Sequence, residues 1–63
     1  MNGRTFKKIR EEVLHMTQEE IGGHLELSRN TIYMMESNQA SIDGRTRLAL
    51  AALALGLRDY PKI

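Results

Sequence analysis

The chain has 63 residues, with nine Lys and Arg against eight Asp and Glu, a formal net charge of +1 and a pI near 8.2. This length predicts one domain, over residues 1–63, with a small core and a thin margin of stability. Cysteine is absent, which excludes disulfides and argues against a structural zinc site, and the net charge is too small to indicate nucleic-acid binding by itself.

The sequence contains no segment typical of secretion or of a membrane span. The first residues, MNGRTFKK, lack the apolar core of a secretory signal. The longest apolar run, residues 48–57, is about half of the roughly 20 residues that a membrane span requires. We therefore expect a soluble cytoplasmic protein with no membrane partner.

Residues 2–14 are predicted to form the first helix. Its apolar residues recur at steps of three and four, as on one helical face: Phe6, Ile9 and Val13. Asn2 or Thr5 is the expected N-cap, because the side chains of both can accept a hydrogen bond from a free backbone amide at a helix start.

The second helix is predicted to begin after Thr17, because Thr17 and Glu20 have the spacing of a capping box. It is expected to end near His24 or Leu25. Two glycines within it, at positions 22 and 23, each cost about 1 kcal/mol relative to alanine. Glycine at such a cost indicates that another part of the chain packs very close to this helix.

Ser28 has the features of a second helix cap, eleven residues after the first one. Leu27 precedes it and Ile32 follows at the position of a hydrophobic staple. Two caps at this spacing predict a short helix, a tight turn and another helix, which is the arrangement of a helix-turn-helix.

A polar loop, residues 37–41, is predicted to lead to a fourth helix that ends at Gly56, with Ile42 as an anchor. Asp43 or Ser41 is the expected cap. One stripe of this helix is predicted to pack on the other helices: Leu48, Ala51, Ala52 and Leu55. The predicted fold class is all-α, a compact bundle of four short helices, or five if residues 58–60 form a helical turn.

The chain contains the segments MTQEEIG at residues 16–22 and LSRNTI at residues 27–32, together with Leu25 and Glu36. Any one of these is weak evidence, but their combined spacing is specific. With this pattern the chain resembles the Cro and phage-repressor type of helix-turn-helix domain, also called XRE-like, over almost its full length. The resemblance implies a lambda-repressor-like fold. The family's turn glycine is replaced by Glu26. A positive φ at this residue costs roughly 1 kcal/mol, so the turn is expected to be either strained or slightly re-formed.

The resemblance also implies two structural features of the helix pair. Gly22 occupies the position at which the family has a small residue, because the second and third helices cross closely there. Arg10 and Glu36 occupy the positions of an ion pair between the first and third helices. The alternative for this pair is an ordinary exposed contact worth less than about 1 kcal/mol.

In this family the third helix enters the major groove, where each base pair presents a distinct pattern of donors and acceptors. By resemblance, Arg29 is expected to donate to guanine O6 and N7, and Asn30 to pair with adenine N6 and N7. Tyr33 and Met34 offer apolar surface to thymine methyl groups. Two neighbours are expected to face the core: Ile32 and Met35. The alternative is a solvated helix face with no ligand.

Phosphate contacts would fix the register of the protein on DNA without carrying sequence information. Gln18 is a candidate because it lies at a helix start, where free amides and the helix dipole favour an anion. The further candidates are Thr31, Asn38, Gln39 and Arg45, with Arg47 as the alternative to Arg45 if the fourth helix begins elsewhere.

A second apolar stripe on the fourth helix predicts a symmetric dimer, because a helix that is apolar nearly all round requires cover on both sides. Its residues are Leu50, Leu53 and Leu57, with Tyr60 at the edge. The alternative is that the C-terminal tail, residues 58–63, folds back over this stripe.

These features predict a homodimeric transcriptional regulator, a repressor of its own gene, that binds an inverted-repeat operator in double-stranded DNA and associates with the nucleoid. We expect no enzymatic activity, cofactor, metal or small-molecule ligand, since the parts of a catalytic site are missing. The alternative is an antitoxin-like or other protein-interaction module that keeps the fold. A phage repressor, an antitoxin and a regulator of a defence operon are equally compatible with the sequence.

Overall fold

The computed structural model describes residues 1–56, and every regular element in this range is helical. The elements are α1 (Gly3–Lys8), a π-helical continuation (Ile9–Val13), α2 (Gln18–Leu25), α3 (Arg29–Glu36) and α4 (Gly44–Ala54). The predicted all-α bundle of four helices is therefore confirmed. The alternative with a fifth helical turn falls on residues 58–60, outside the described residues. Within residues 1–56 no helix is long and apolar enough to cross a membrane.

A side-chain cap precedes each of the four α-helices. The caps are Asn2, Thr17, Ser28 and Asp43, each accepting from the backbone amide three residues later. At Thr17 the capping box is complete, because Glu20 Oε1 also accepts from the Thr17 amide at 2.9 Å. Of the alternatives left open by the sequence, Asn2 caps α1 and Asp43 caps α4.

The first helix departs from the predicted geometry after Lys8. The backbone widens over Ile9–Val13, where the Leu14 amide donates to the Ile9 carbonyl at 3.0 Å, five residues back instead of four. The extra residue shifts the apolar face by one position. Leu14 therefore packs against the core, whereas Val13 is 54% exposed. The prediction that Val13 lies on the buried face is wrong.

The centre of the core consists of one fully buried side chain from each α-helix. These side chains are Phe6, Ile21, Ile32 and Leu50. Burial of each contributes about 1.5 to 3 kcal/mol relative to exposure. A partly buried shell surrounds them: Ile9, Leu14, Met16, Leu25, Leu27, Ile42 and Leu53. Ile42 is thus the anchor that the sequence predicted for the loop before α4.

Two glycines are required by close approaches of the backbone. A Cβ on Gly22 would lie 2.6 Å from the carbonyl oxygen of Leu27, whereas a Cβ on Gly23 would meet nothing within 4 Å. The predicted need for a small residue at Gly22 is confirmed, although the closest neighbour is the turn before α3 and not α3 itself. A Cβ on Gly3 would lie 2.5 Å from the carbonyl oxygen of Glu36, a constraint that the sequence did not reveal.

Of the two alternatives for the turn between α2 and α3, the structure shows the one with a positive φ. Glu26 has φ 59° and ψ 39°, the left-handed conformation in which glycine is favoured. Its amide donates to the carbonyl of Gly22, as expected for a residue that ends a helix. A non-glycine residue in this conformation costs roughly 1 kcal/mol. Leu25 and Leu27, on either side of it, both pack against the core.

The two faces of α4 are exchanged relative to the prediction. Leu50 is fully buried and Leu53 packs against the core, while Leu48 is 57% and Leu55 79% exposed. Ala51 is also exposed, and only Ala52 of the predicted inward stripe is buried. The prediction was wrong because leucine and alanine occupy nearly every position of α4, so that the apolar pattern contains no contrast from which a face can be chosen.

Candidate nucleic-acid interface

The outward face of α3 carries the residues that were predicted to contact bases. Arg29 and Asn30 are exposed, Tyr33 is 52% exposed and Met34 is half-buried. The opposite face is buried as predicted: Ile32 and Met35. The cap of Ser28 holds the first turn, so that Arg29 and Asn30 project from the very start of the helix.

Three of the outward side chains of α3 line one shallow depression, which also includes a residue of α2. Arg29, Asn30 and Tyr33 form its wall on α3, and Gln18 forms the wall at the first residue of α2. The structure therefore brings together three predicted base contacts and one predicted phosphate contact. The surface offers a guanidinium, two carboxamides and an aromatic ring, which are donors, acceptors and an apolar plane side by side.

An ion pair lies behind this depression. Arg10 donates to Glu36 through Nε at 2.6 Å and through Nη2 at 3.0 Å, and the two side chains are only 8% and 4% exposed. The predicted pair is present, and the alternative of an exposed contact is wrong. The hydrogen bond to Glu36 raises the pKa of Arg10 above its usual range, against the opposing effect of burial, so the guanidinium stays charged.

The same ion pair joins the start of α2 to the end of α3. Arg10 Nη1 donates to the carbonyl of Met16 at 2.8 Å, and Gln18 Nε2 donates to Glu36 Oε1 at 3.1 Å. No side-chain polar atom buried within residues 1–56 lacks a hydrogen-bond partner. The network fixes the position of Gln18, and it leaves one Nε2 hydrogen of this side chain for another acceptor.

The remaining predicted phosphate contacts lie outside the depression. Asn38 has a φ of 63° and its Oδ1 accepts from the amide of Gly3 at 2.9 Å, so it ties the loop to the start of α1. Gln39 donates to Ser37 Oγ at 3.0 Å, and Thr31 is hydrogen-bonded to the capping Ser28.

Arg45 is also separate from the α3 depression. It lines another one, together with Glu26 and Leu27 from the turn and Asp43 from the start of α4. Because α4 begins at Gly44, Arg45 and the exposed Arg47 both belong to its first turn. Neither arginine lines the depression formed by α3 and Gln18.

One contact on α3 was not anticipated from the sequence. The carboxamide of Asn30 donates through Nδ2 to the sulfur of Met34 at 3.6 Å. The signal that could have found it is the spacing of four residues, which places two side chains next to each other on a helix.

The predicted dimer stripe is only partly exposed. Leu50 is fully buried among the core residues, so it is not available to a second subunit and this prediction is corrected. Leu53 is half-buried against the same core. The other two predicted dimer residues, Leu57 and Tyr60, lie outside the described residues.

Comparison of the chain with known protein families, with curated proteins and with solved structures found no match. The interpretation of this surface therefore depends on its own chemistry. Among the residues that the structure describes, no group of three or more side chains could hold a metal ion.

Proposed function

We propose that this protein is a sequence-specific DNA-binding regulator of the Cro and phage-repressor type, a repressor that acts as a homodimer with α3 in the major groove. The observation that carries the proposal is the depression in which Arg29, Asn30 and Tyr33 of α3 meet Gln18 of α2. Such a regulator acts on the nucleoid in the cytoplasm, and its role requires neither catalysis nor a cofactor.

The proposed base contacts follow from the chemistry of the exposed α3 residues. Arg29 can donate two parallel hydrogen bonds to guanine O6 and N7, and Asn30 can donate to adenine N7 while accepting from N6. Tyr33 offers an aromatic surface to a thymine methyl group. Met34 is half-buried and offers less surface than Tyr33 does.

The proposed phosphate contacts flank this face. Gln18 has one Nε2 hydrogen left, next to the free backbone amides of the first turn of α2. Asn38 can donate through Nδ2 while its Oδ1 holds Gly3. Thr31, Gln39 and Arg45 remain candidates at the periphery, and the proposal depends less on them because they do not line the α3 depression.

For the dimer we assign the exposed face of α4 in place of Leu50. Leu48, Ala51 and Leu55, here called the α4 stripe, recur at steps of three and four and are all exposed. A stripe of apolar residues on the outside of a small domain is typical of an interaction surface. A two-fold contact between two such stripes would cover both at once.

A selection experiment tests DNA binding. The full chain is incubated with a pool of random-sequence duplexes, and enriched sequences are titrated by fluorescence anisotropy at several salt concentrations. We expect an inverted repeat with half-site centres about 34 Å apart, and an affinity that falls steeply as salt rises. Absence of any enriched sequence at low salt would refute the proposal and favour the alternative, a protein-interaction module.

Two arginine variants sharpen this test. Arg29→Ala is expected to cost about 1 to 3 kcal/mol of binding and to relax discrimination at one base pair. Arg4→Ala is the matched control, because Arg4 is exposed on α1 and does not line the depression. Equal losses on every sequence for both variants would mean that α3 does not contact bases.

Sedimentation tests the dimer. At micromolar concentration we expect a dimer of the 7.2 kDa chain, converted to a monomer by Leu55→Glu. Val13→Glu is the control, because Val13 is an exposed apolar residue outside the α4 stripe. A wild type that sediments as a monomer would refute the dimer.

A further inference from the structure

Asn30 and Met34 lie one helical turn apart on the outward face of α3, and their side chains are in contact. Asn30 Nδ2 donates to Met34 Sδ at 3.6 Å. This is the one hydrogen bond that the Asn30 side chain makes within residues 1–56, so its Oδ1 and second Nδ2 hydrogen face solvent. Asn30 is exposed, whereas Met34 is half-buried and therefore more restricted than its partner.

The chemistry of the thioether selects one orientation of the Asn30 carboxamide. Sulfur accepts a hydrogen bond and cannot donate one. If the carboxamide rotated by half a turn, Oδ1 would face Sδ and two acceptors would be opposed. An exposed asparagine otherwise samples several rotamers, and ordering it on binding costs conformational entropy.

We infer that Met34 is a positioning residue, which holds the Asn30 carboxamide in the single orientation that recognises adenine in duplex DNA. The inference rests on the proposed function of α3. In this orientation Asn30 presents one acceptor and one donor outward, the pair that complements adenine N6 and N7 in the major groove. Met34 thereby contributes to specificity through Asn30, without having to contact a base itself.

The test replaces the sulfur while keeping the volume. Met34→Leu removes the acceptor at little cost in packing. Met16→Leu is the matched control, because Met16 packs against the core and does not line the α3 depression. Each variant is titrated against the selected duplex and against duplexes with every single base-pair change. Asn30→Ala and the double variant complete a mutant cycle.

Met34→Leu is expected to lower the preference for adenine by about two- to fivefold, at the same base pair as Asn30→Ala. In the Asn30→Ala background it is expected to have no further effect, and Met16→Leu is expected to leave the preference unchanged. A loss at a different base pair would show that Met34 contacts a base directly, and additive losses would show that the two residues act independently. Either result would overturn the inference.

A measurement without DNA separates this inference from the proposed function. In the free protein, the side-chain amide resonances of Asn30 are expected to shift in Met34→Leu and not in Met16→Leu. Unchanged resonances in Met34→Leu overturn the positioning role, whatever the protein binds. A wild type with no sequence preference refutes the proposed function, and it removes the adenine assignment from the inference even if these resonances shift.

Discussion

Helices α3 and α4 both bury one face in the same core, yet they differ in what holds them and in what they leave outside. α3 packs against α1 and α2 and is anchored by polar and backbone contacts: the ion pair of Glu36 with Arg10, and the close approach of Gly3 to its last residues. Gly22 approaches the turn that precedes α3. The outward face of α3 combines the polar Arg29 and Asn30 with the ring of Tyr33. α4 is held mainly by Leu50 and its apolar neighbours, and beyond the exposed arginines of its first turn its outward face is apolar.

The difference indicates that polar contacts fix the position of one helix, whereas apolar burial stabilises the other. Directional contacts such as the Arg10–Glu36 pair specify position closely, because they tolerate little displacement. They suit a helix whose exposed side chains must meet a partner in a fixed geometry. Apolar burial is not directional, so it supplies stability to α4 without requiring a particular register. Substitutions that weaken each kind of contact in turn test this division.

The largest effect is expected from breaking the polar anchor of α3. Glu36→Leu leaves the guanidinium of Arg10 buried without its partner, which is expected to cost about 3 to 5 kcal/mol of stability. The double variant with Arg10→Met is expected to recover much of this loss, since no buried charge remains. Urea titrations followed by circular dichroism measure both.

The control for this variant is Glu11→Gln. Glu11 also lies near Arg10, with its carboxylate 3.7 Å from Nη2, but its side chain is 53% exposed. An exposed pair contributes at most about 1 kcal/mol. If Glu36→Leu were as mild as Glu11→Gln, the view that polar contacts anchor α3 would be wrong.

A pair of alanine substitutions tests which face of α4 is buried. Leu50→Ala is expected to cost about 3 kcal/mol, because Leu50 is fully buried and a cavity remains. Leu48→Ala is expected to change monomer stability by at most about 0.5 kcal/mol, because Leu48 is 57% exposed. Thermal unfolding of dilute samples compares the two, and the opposite ranking would restore the faces that were first predicted.

The contrast between the helices also explains what the sequence could predict. The inward side of α3 followed from its pattern, because Ile32 and Met35 alternate with polar residues such as Arg29 and Asn30. α4 has no such contrast, and the choice between Leu48 and Leu50 depends on the tertiary contacts. The caps were predictable because they are local.

Other features depended on contacts that are distant in the sequence or on small departures from regular geometry. The shift from Val13 to Leu14 arises from one extra residue in the π-helical segment, which the apolar spacing does not encode. Gly3 is required by the end of α3, more than thirty positions away along the chain. Among the candidate site residues, Arg29, Asn30 and Tyr33 line one depression with Gln18, whereas Arg45 lines another.

Alanine substitutions at Gly22 and at the adjacent Gly23 test the close approach of the backbone at Gly22. Gly22→Ala is expected to cost about 2 kcal/mol, because the new Cβ would lie 2.6 Å from the backbone oxygen of Leu27 and the turn before α3 would have to shift. Gly23→Ala has open space and is expected to stabilise α2 by about 0.5 to 1 kcal/mol. Equal effects of the two substitutions on the urea midpoint would contradict the close approach.

The smallest effect is expected at the N-caps of α3 and α4. One of these caps carries a charge and the other does not. Ser28 caps α3 and does not titrate in the acidic range, whereas Asp43 caps α4 with a carboxylate. The hydrogen bond from the Thr46 amide holds the pKa of Asp43 below its usual range. The stabilisation from Asp43 is therefore fully present above the ordinary pKa of an unfolded aspartate, and it is lost as the pH falls through the lowered pKa of the folded protein.

Asp43→Asn keeps a cap but removes its titration, so its effect is expected to depend on pH. The wild type should lose more stability than the variant as the pH falls below about 4, the ordinary pKa of an unfolded aspartate. Acid-sensitive groups shared by both proteins, such as the capping carboxylate of Glu20, cancel in the comparison. The amide resonance of Thr46 should shift with pH in the wild type and not in Asp43→Asn. The amide resonance of Thr31, which donates to the Ser28 cap, should not follow the titration of Asp43 in either protein. Parallel pH profiles of stability for the two proteins would show that the charge of Asp43 does not contribute to holding α4.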